Sequence, residues 1–212
     1  MIITYHGGEF FKVQFGDKIL AFNPISKKSK LKTSRFGADV ALVSLNHPDM
    51  NGVDELGFGD RVPFAITGPG EYEIKDVFIK GYPSISGYGG EGKFNTIYSV
   101  SLEGMNLAFL GALKDGSKIS ADILEALDDI DVLFLPISGD GVMAPADAYK
   151  LAVKLEPKVI IPMHYNMNSD KNSLKTFLKE AGEEGTKPVD KFTFKKKDIE
   201  GKEGEVVVLE TQ

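Results

Sequence analysis

The first half of the chain alternates apolar and polar residues in short runs, which predicts β-strands joined by turns. Apolar side chains recur at every second position of segment 11–15, the period of a half-buried strand. Gly16 and Asp17 then lead into a second apolar run at 18–22, which predicts a β-hairpin. Further strands are predicted at 40–43, 64–67, 77–82, 96–102 and 107–110.

The second half changes to a helical period. Ser120 is a good N-cap for a helix whose apolar residues recur on one face, and Pro145 marks the start of a second amphipathic helix. The apolar runs at 131–136 and 159–162 lie on either side of that second helix, which predicts a parallel crossover. A third helix is predicted at 173–181, and a closing edge strand at 205–209.

Length and charge narrow the class of protein. A chain of 212 residues can bury a full core, and we expect a single domain over residues 1–212. The net charge of −6 and the scattered Lys and Arg residues argue against partners such as nucleic acid or an anionic membrane. No apolar run approaches the roughly 20 residues that span a bilayer. The first residues lack the pattern of a signal peptide, so we expect a cytoplasmic protein.

The choice of metal ligands is narrow. The chain has no cysteine and only three histidines, His6, His47 and His164, so a metal site would need His, Asp, Glu or backbone oxygen. The loop 44–52 directly follows the apolar run 40–43, which is the place of a metal-binding loop at the end of a buried strand. Two of the four side chains that such a loop would use are Leu45 and Met50.

Several segments along nearly the whole chain resemble those of the metallo-β-lactamase superfamily, and more closely its ascorbate-6-phosphate lactonase-like branch of metal-dependent hydrolases. The matching segments are Ile3-Thr4-Tyr5, Ala21-Phe22-Asn23-Pro24, Gly68-Pro69-Gly70-Glu71-Tyr72-Glu73-Ile74, Asn95-Thr96-Ile97-Tyr98, Leu110-Gly111 and Ile160-Ile161-Pro162-Met163-His164-Tyr165. The resemblance implies an α/β fold, a four-layer αββα sandwich, and hydrolysis at two metal ions.

The resemblance also shows which ligands this chain has lost. The metal ligands of the family fall on Leu45, His47, Asp49, Met50, Ser86, Ala112 and His164. The Gly-His pair near the N-terminus is Gly7-Gly8 here, with His6 displaced. Only three of the seven positions keep a side chain that binds metal, whereas a catalytic zinc has three protein ligands and a water. We therefore expect no tightly bound cofactor, with weak zinc or manganese binding at most.

Two functions remain open for the three residual side chains, His47, Asp49 and His164. They could form a weak metal site or a metal-free general base, in an active hydrolase of the lactone or phosphoester class. Alternatively, His47 and Asp49 close their turn by hydrogen bonds, and His164 is retained by packing. We favour the second interpretation: a pseudoenzyme that binds a small molecule or a protein through the old cleft, compatible with a homo-oligomer.

Three other signals are weaker. Ser84 and Ser86 precede the glycine-rich segment 87–92, but no G-x-S-x-G elbow is present, so the segment is either a lid over the site or a plain loop. The segment 138–141 resembles a phosphate-binding turn, in which Asp140 would repel phosphate. The basic segments 26–35 and 195–197 are interpreted as surface.

Overall fold

Two β-sheets form the centre of the computed structural model, which describes residues 1–59, 61–165 and 172–212. The strands of the first sheet are β1 (Ile2–Tyr5), β2 (Phe11–Phe15), β3 (Lys18–Phe22), β4 (Val40–Leu42), β5 (Phe64–Ile66) and β12 (Phe192–Thr193). The strands of the second are β6 (Gly70–Ile74), β7 (Val77–Ser86), β8 (Lys93–Leu102), β9 (Met105–Phe109), β10 (Val132–Pro136), β11 (Val159–Met163) and β13 (Glu205–Val206). Their orders are β12-β1-β2-β3-β4-β5 and β13-β11-β10-β9-β8-β7-β6.

Aromatic side chains join the two sheets in the core. The rings of Phe11 on β2 and Phe134 on β10 lie 4.8 Å apart, and those of Phe22 on β3 and Phe109 on β9 lie 4.9 Å apart. All four side chains are fully buried. The sheets therefore pack face to face, as the sequence predicted.

Three α-helices follow the strands of the second half: α1 (Ala121–Ala126), α2 (Pro145–Leu155) and α3 (Ser173–Glu180). Ser120 caps α1, because its Oγ accepts a hydrogen bond from the backbone N–H of Ile123. Helix α2 contacts β10 and α3, and it joins the parallel strands β10 and β11 as the predicted crossover. The α/β sandwich is confirmed.

The outer face of the six-stranded sheet has a different cover. The side chains of Ala21 and Ala41 alternate with those that face the core, and they pack with Phe10, Ile25 and Leu56 in a second apolar cluster. Val53, from the 3₁₀ helix Val53–Glu55, packs against the same cluster. In the described part of the chain, this face is thus covered by a 3₁₀ turn and loops.

Some predicted bounds were wrong. The hairpin of β7 and β8 is longer than expected, because the ladder continues to the pair Ser86 and Lys93. The closing strand is shorter, since β13 ends at Val206 and Leu209 forms only an isolated bridge with Val189. None of the helices in the described ranges is both long and apolar enough to cross a membrane.

Candidate functional site

The loops that follow β4, β7, β9 and β11 meet at one end of the sandwich. The β4 loop brings His47 and Asp49, and the β11 loop brings His164. The glycine-rich loop after β7 brings Tyr88, whose ring contacts both histidine rings. The three residual side chains predicted from the sequence therefore lie around one tyrosine, although more than a hundred residues separate the first from the last.

The vacated ligand positions form an apolar cluster. Leu45, Met50 and Ala112 pack together with Tyr88 and Val142, and each of the five is at most 9% exposed. Ser86, the fourth vacated position, is fully buried and its Oγ accepts a hydrogen bond from the backbone N–H of Tyr88. Leu45, Met50 and Ala112 thus place apolar side chains at three of the positions where the resemblance implies metal ligands.

Asp49 is held by hydroxyl groups. Ser29 donates to its Oδ1, and the Tyr88 hydroxyl donates to its Oδ2 over 2.6 Å. The backbone N–H of Asp49 donates to Nδ1 of His47 over 3.2 Å, a bond that closes the turn between them. Both carboxylate oxygens therefore have donors. Ser29 lies in the basic segment 26–35, which is consequently more than the plain surface that the sequence suggested.

His164 is tied to the opposite wall of the site. Its side chain is 1% exposed, and Nδ1 lies 2.6 Å from Oε1 of Glu9, which is fully buried. The other oxygen of Glu9 accepts a 2.7 Å hydrogen bond from Asn23. Because a carboxylate can only accept, we assign the ring proton to Nδ1. Nε2 of His164 is buried without a hydrogen-bond partner in the residues that the structure covers.

The Tyr88 ring lies against both histidines. Its centroid is 4.6 Å from that of His164 and 4.9 Å from that of His47, and both contacts are edge-on. Burial, and then the hydrogen bond to Asp49, raise the pKa of Tyr88, so its hydroxyl stays protonated and donates. Gly89 must be a glycine here, since its φ is +69° and an added Cβ would lie 2.8 Å from Cδ2 of His47.

The segment 138–141 supports this loop. The carbonyl of Gly141 accepts a 2.8 Å hydrogen bond from the backbone N–H of Gly87. Gly141 has a φ of +73°, and a Cβ there would lie 2.6 Å from the backbone of Gly87 and Tyr88. The resemblance of this segment to a phosphate-binding turn is thus explained by a close contact between two loops.

The residues present do not fit the two-metal centre that the resemblance implies. Within residues 1–59, 61–165 and 172–212, no three His, Cys, Asp or Glu side chains are grouped so that they could hold a metal ion. Both oxygens of Asp49 already accept hydrogen bonds, and the side chains of Leu45, Met50 and Ala112 offer no nitrogen or oxygen atom to a metal. A metal would have to displace the two donors of Asp49 and would find only His47, Asp49 and His164, which the described residues do not group around one point.

His6 belongs to a different environment. Its ring packs against those of Phe10 and Phe36, with centroids 4.9 and 5.5 Å away, and neither ring nitrogen has a hydrogen-bond partner in the described residues. Burial, followed by the positive charges of Lys12 and Lys32, lowers the pKa of His6 from 6.5 to about 4. His6 is therefore an uncharged packing residue outside the site.

Four residues of the site were missed in the sequence. Glu9, Asn23, Ser29 and Tyr88 supply the partners of the residual side chains. Glu9 gave a local signal, as a lone acid next to Phe10 and Phe11, and Asn23 lies in one of the segments that resemble the superfamily. Tyr88 gave only its place in the glycine-rich loop.

Comparison with known proteins agrees with the fold. The model of the β-lactamase superfamily domain matches residues 2–164. A UPF0173 metal-dependent hydrolase of Bacillus cereus (strain AH187) is 24% identical over 198 residues, covering 78% of this chain and 86% of that protein. A similar protein of Bacillus mycoides (strain KBAB4) is 25% identical over 200 residues, with the same coverage.

Solved structures agree as well. A Thermotoga maritima protein described as a Zn-dependent hydrolase of the metallo-β-lactamase superfamily superposes with a TM-score of 0.78 and 28% identity, covering 100% of this chain and 99% of that one. A protein of Parabacteroides distasonis described as a metal-dependent hydrolase has a TM-score of 0.67 and 18% identity over 99% and 93% of the two chains, which shows a shared fold. The domain match over most of the sequence and these superpositions lead to one conclusion: the chain belongs to the metallo-β-lactamase superfamily.

Proposed function

We propose that this chain is a metal-free, non-catalytic member of its superfamily, a pseudoenzyme that acts by binding a small molecule or a protein. The observation that carries the proposal is the apolar cluster of Leu45, Met50, Ala112, Tyr88 and Val142 at the ligand positions. We place the chain near the ascorbate-6-phosphate lactonase-like branch on its sequence landmarks, and in the cytoplasm on its sequence pattern.

Ligand chemistry supports the loss of catalysis. Metal-dependent hydrolysis at neutral pH uses a bound ion to lower the pKa of a water molecule, and that ion needs about three protein ligands. Leu45 and Ala112 offer no donor atom, and Met50 offers only a thioether. Similar proteins are described as metal-dependent or Zn-dependent hydrolases, and we infer that this chain has replaced the ligands that such a metal would need.

The hydrogen bonds around Asp49 add to this barrier. Binding a metal through Asp49 would require breaking the bonds from Ser29 and Tyr88. Leaving a buried donor without its acceptor costs about 1–3 kcal/mol for each group. The hydrogen bonds of Asp49 to Ser29 and Tyr88 therefore favour contacts between loops over the binding of a metal ion.

The accessible remnant of the cleft is its mouth. The His47 side chain is 30% exposed there, whereas the His164 side chain is 1% exposed and lies behind Tyr88. A partner that uses the old cleft would therefore contact His47 and the glycine-rich loop without reaching His164.

A hydrolysis assay tests the proposal. The purified protein, with and without added zinc or manganese, would be offered a γ-lactone and a bis-aryl phosphodiester. We expect rates equal to those of the variant His47→Gln/His164→Gln prepared in the same way. A metal-dependent rate that is lost in that double variant would establish the alternative, an active lactone or phosphoester hydrolase that uses His47, Asp49 and His164.

A further inference from the structure

An apolar groove of about 520 Å³ lies beside the β7–β8 hairpin. Its apolar lining comes from Pro83, Ile85, Phe94, Leu113 and Ile119. Successive strand residues point to opposite faces, so Ile85 faces this groove while Ser86 faces the remodelled site. The groove is thus a separate feature on the other face of the sheet.

The groove has a buried floor and exposed walls. Leu113 and Ile119 are 2% and 8% exposed, whereas Ile85 and Phe94 are 50% and 54% exposed. Ile85 and Phe94 are directly opposite each other in the β-ladder, so they form one continuous apolar surface. Large apolar side chains left this open around a concave surface indicate a binding site for an apolar group.

The charged side chains at the rim of the groove differ in whether they already have hydrogen-bond or ion-pair partners. Lys114 forms an ion pair with Glu91. Asp115 accepts hydrogen bonds from the backbone N–H and the hydroxyl of Ser117, bonds that lower the pKa of its carboxyl group. The backbone N–H of Lys118 donates to the carbonyl of Asp115, but its side-chain ammonium forms no hydrogen bond or ion pair among the residues described. Lys118 is therefore the cation at the rim that can take an incoming anion.

We propose that this groove binds a small monocarboxylate with an aromatic or branched aliphatic body. The body covers Ile85 and Phe94, and the carboxylate pairs with Lys118. A volume of about 520 Å³ lies within the range of small-molecule pockets, roughly 300–1,000 Å³. Because the groove lies outside the remodelled site, this inference goes beyond the proposed function and does not depend on the loss of the metal centre.

Titration with 3-phenylpropionate, followed by amide chemical shifts in NMR, tests the proposal on the full chain. The uncharged analogue 3-phenylpropan-1-ol is the matched ligand. We expect saturable shifts for the acid that centre on residues 83–85, 94 and 113–119, and weaker binding of the alcohol. Lack of saturable shifts at millimolar acid, shifts centred elsewhere, or equal affinity for acid and alcohol would overturn it.

Matched variants identify the two contacts. Phe94→Ser should weaken binding of the acid about tenfold or more, because it removes most of one apolar wall. Phe78→Ser is its control, since Phe78 is 53% exposed on the same hairpin but outside the groove.

Lys118→Gln should weaken binding of the acid about two- to fivefold, the scale of an exposed ion pair, and leave binding of the alcohol unchanged. Lys187→Gln, an exposed lysine that does not line the groove, is its control. Unchanged acid binding in both Phe94→Ser and Lys118→Gln would contradict the proposed contacts.

Discussion

Tyr88 donates a 2.6 Å hydrogen bond to Asp49, a residue that lies 39 positions earlier in the chain. The same tyrosine ring contacts His47 and His164, the two histidines that the sequence resemblance proposes, with Asp49, as remnants of a metal site. A phenol ring thus occupies the centre of the three residual side chains. Its contacts give each of these three side chains a partner within the fold.

Removing the Tyr88 hydroxyl should destabilise the fold. In Tyr88→Phe, Ser29 is the one described side chain that still donates a hydrogen bond to the Asp49 carboxylate, so we expect the free energy of unfolding to fall by about 1–2 kcal/mol. Urea unfolding measures this change. Tyr72→Phe, whose exposed hydroxyl makes a 3.3 Å bond to the backbone of Pro69, is the control and should be nearly neutral. Equal effects of the two substitutions would show that the bond to Asp49 contributes nothing.

Truncating Glu9 should have a larger effect. Glu9→Ala leaves His164 without its buried acceptor and removes one of the two acceptors of the Asn23 amide, and each buried donor left unsatisfied costs about 1–3 kcal/mol. Glu9→Gln keeps the shape and one acceptor oxygen, so its loss should be smaller. The free energies of unfolding of the two variants provide the comparison. A loss under about 1 kcal/mol in Glu9→Ala would contradict the role assigned to this pair.

Acid should weaken the fold through His6. Its pKa is about 4 in the folded protein and 6.5 without the fold, because burial disfavours the charged ring. Above pH 6.5 the ring is neutral in both states. Between pH 6.5 and 4 the unfolded chain takes up a proton that the folded chain excludes, so stability falls as the pH falls.

The variant His6→Phe isolates this contribution. We expect the difference in the free energy of unfolding between the unmodified protein and the variant to change steadily from pH 7 to pH 4.5, in favour of the variant at low pH. Urea unfolding at several pH values gives this difference, and carboxyl groups common to both proteins cancel. A difference that does not vary with pH would show that His6 has the same pKa in the folded and unfolded states, so that its burial does not oppose protonation.

The sequence predicted the elements that depend on local patterns. The apolar runs at 40–43, 131–136 and 159–162 became β4, β10 and β11, and the order of apolar strands and an amphipathic helix predicted the crossover. The alignment of motifs also predicted which residues would meet, because the ends of several strands converge in this fold. These predictions needed only the period of the side chains or a known arrangement of strands.

The partners within the site were beyond such reasoning. Glu9 and His164 are 155 positions apart, and neither belongs to a local pattern that predicts their contact. Tyr88 lies in a loop of glycines, where the sequence permits many backbone conformations and favours none. Its position depends on space left by small or apolar side chains at Leu45, Met50 and Ala112, which only the folded structure reveals.

Restoring the ligands should require removing Tyr88. The variant Leu45→His/Met50→His/Ser86→His/Ala112→Asp replaces the four lost side chains, yet Tyr88 still covers His47 and His164. We expect little zinc binding from this variant, and a clear rise in affinity when Tyr88→Gly is added. A zinc-induced increase in the melting temperature measures both. If the fourfold variant binds zinc as well as the fivefold one, Tyr88 does not block the site.

Zinc content tests the central claim most directly. The unmodified protein would be produced in zinc-supplemented medium, dialysed against a chelator, and analysed by elemental mass spectrometry with titration calorimetry for affinity. We expect far less than one zinc per chain and a dissociation constant no tighter than about micromolar, which corresponds to about −8 kcal/mol. One or more zinc ions per chain that survive dialysis would contradict a metal-free site.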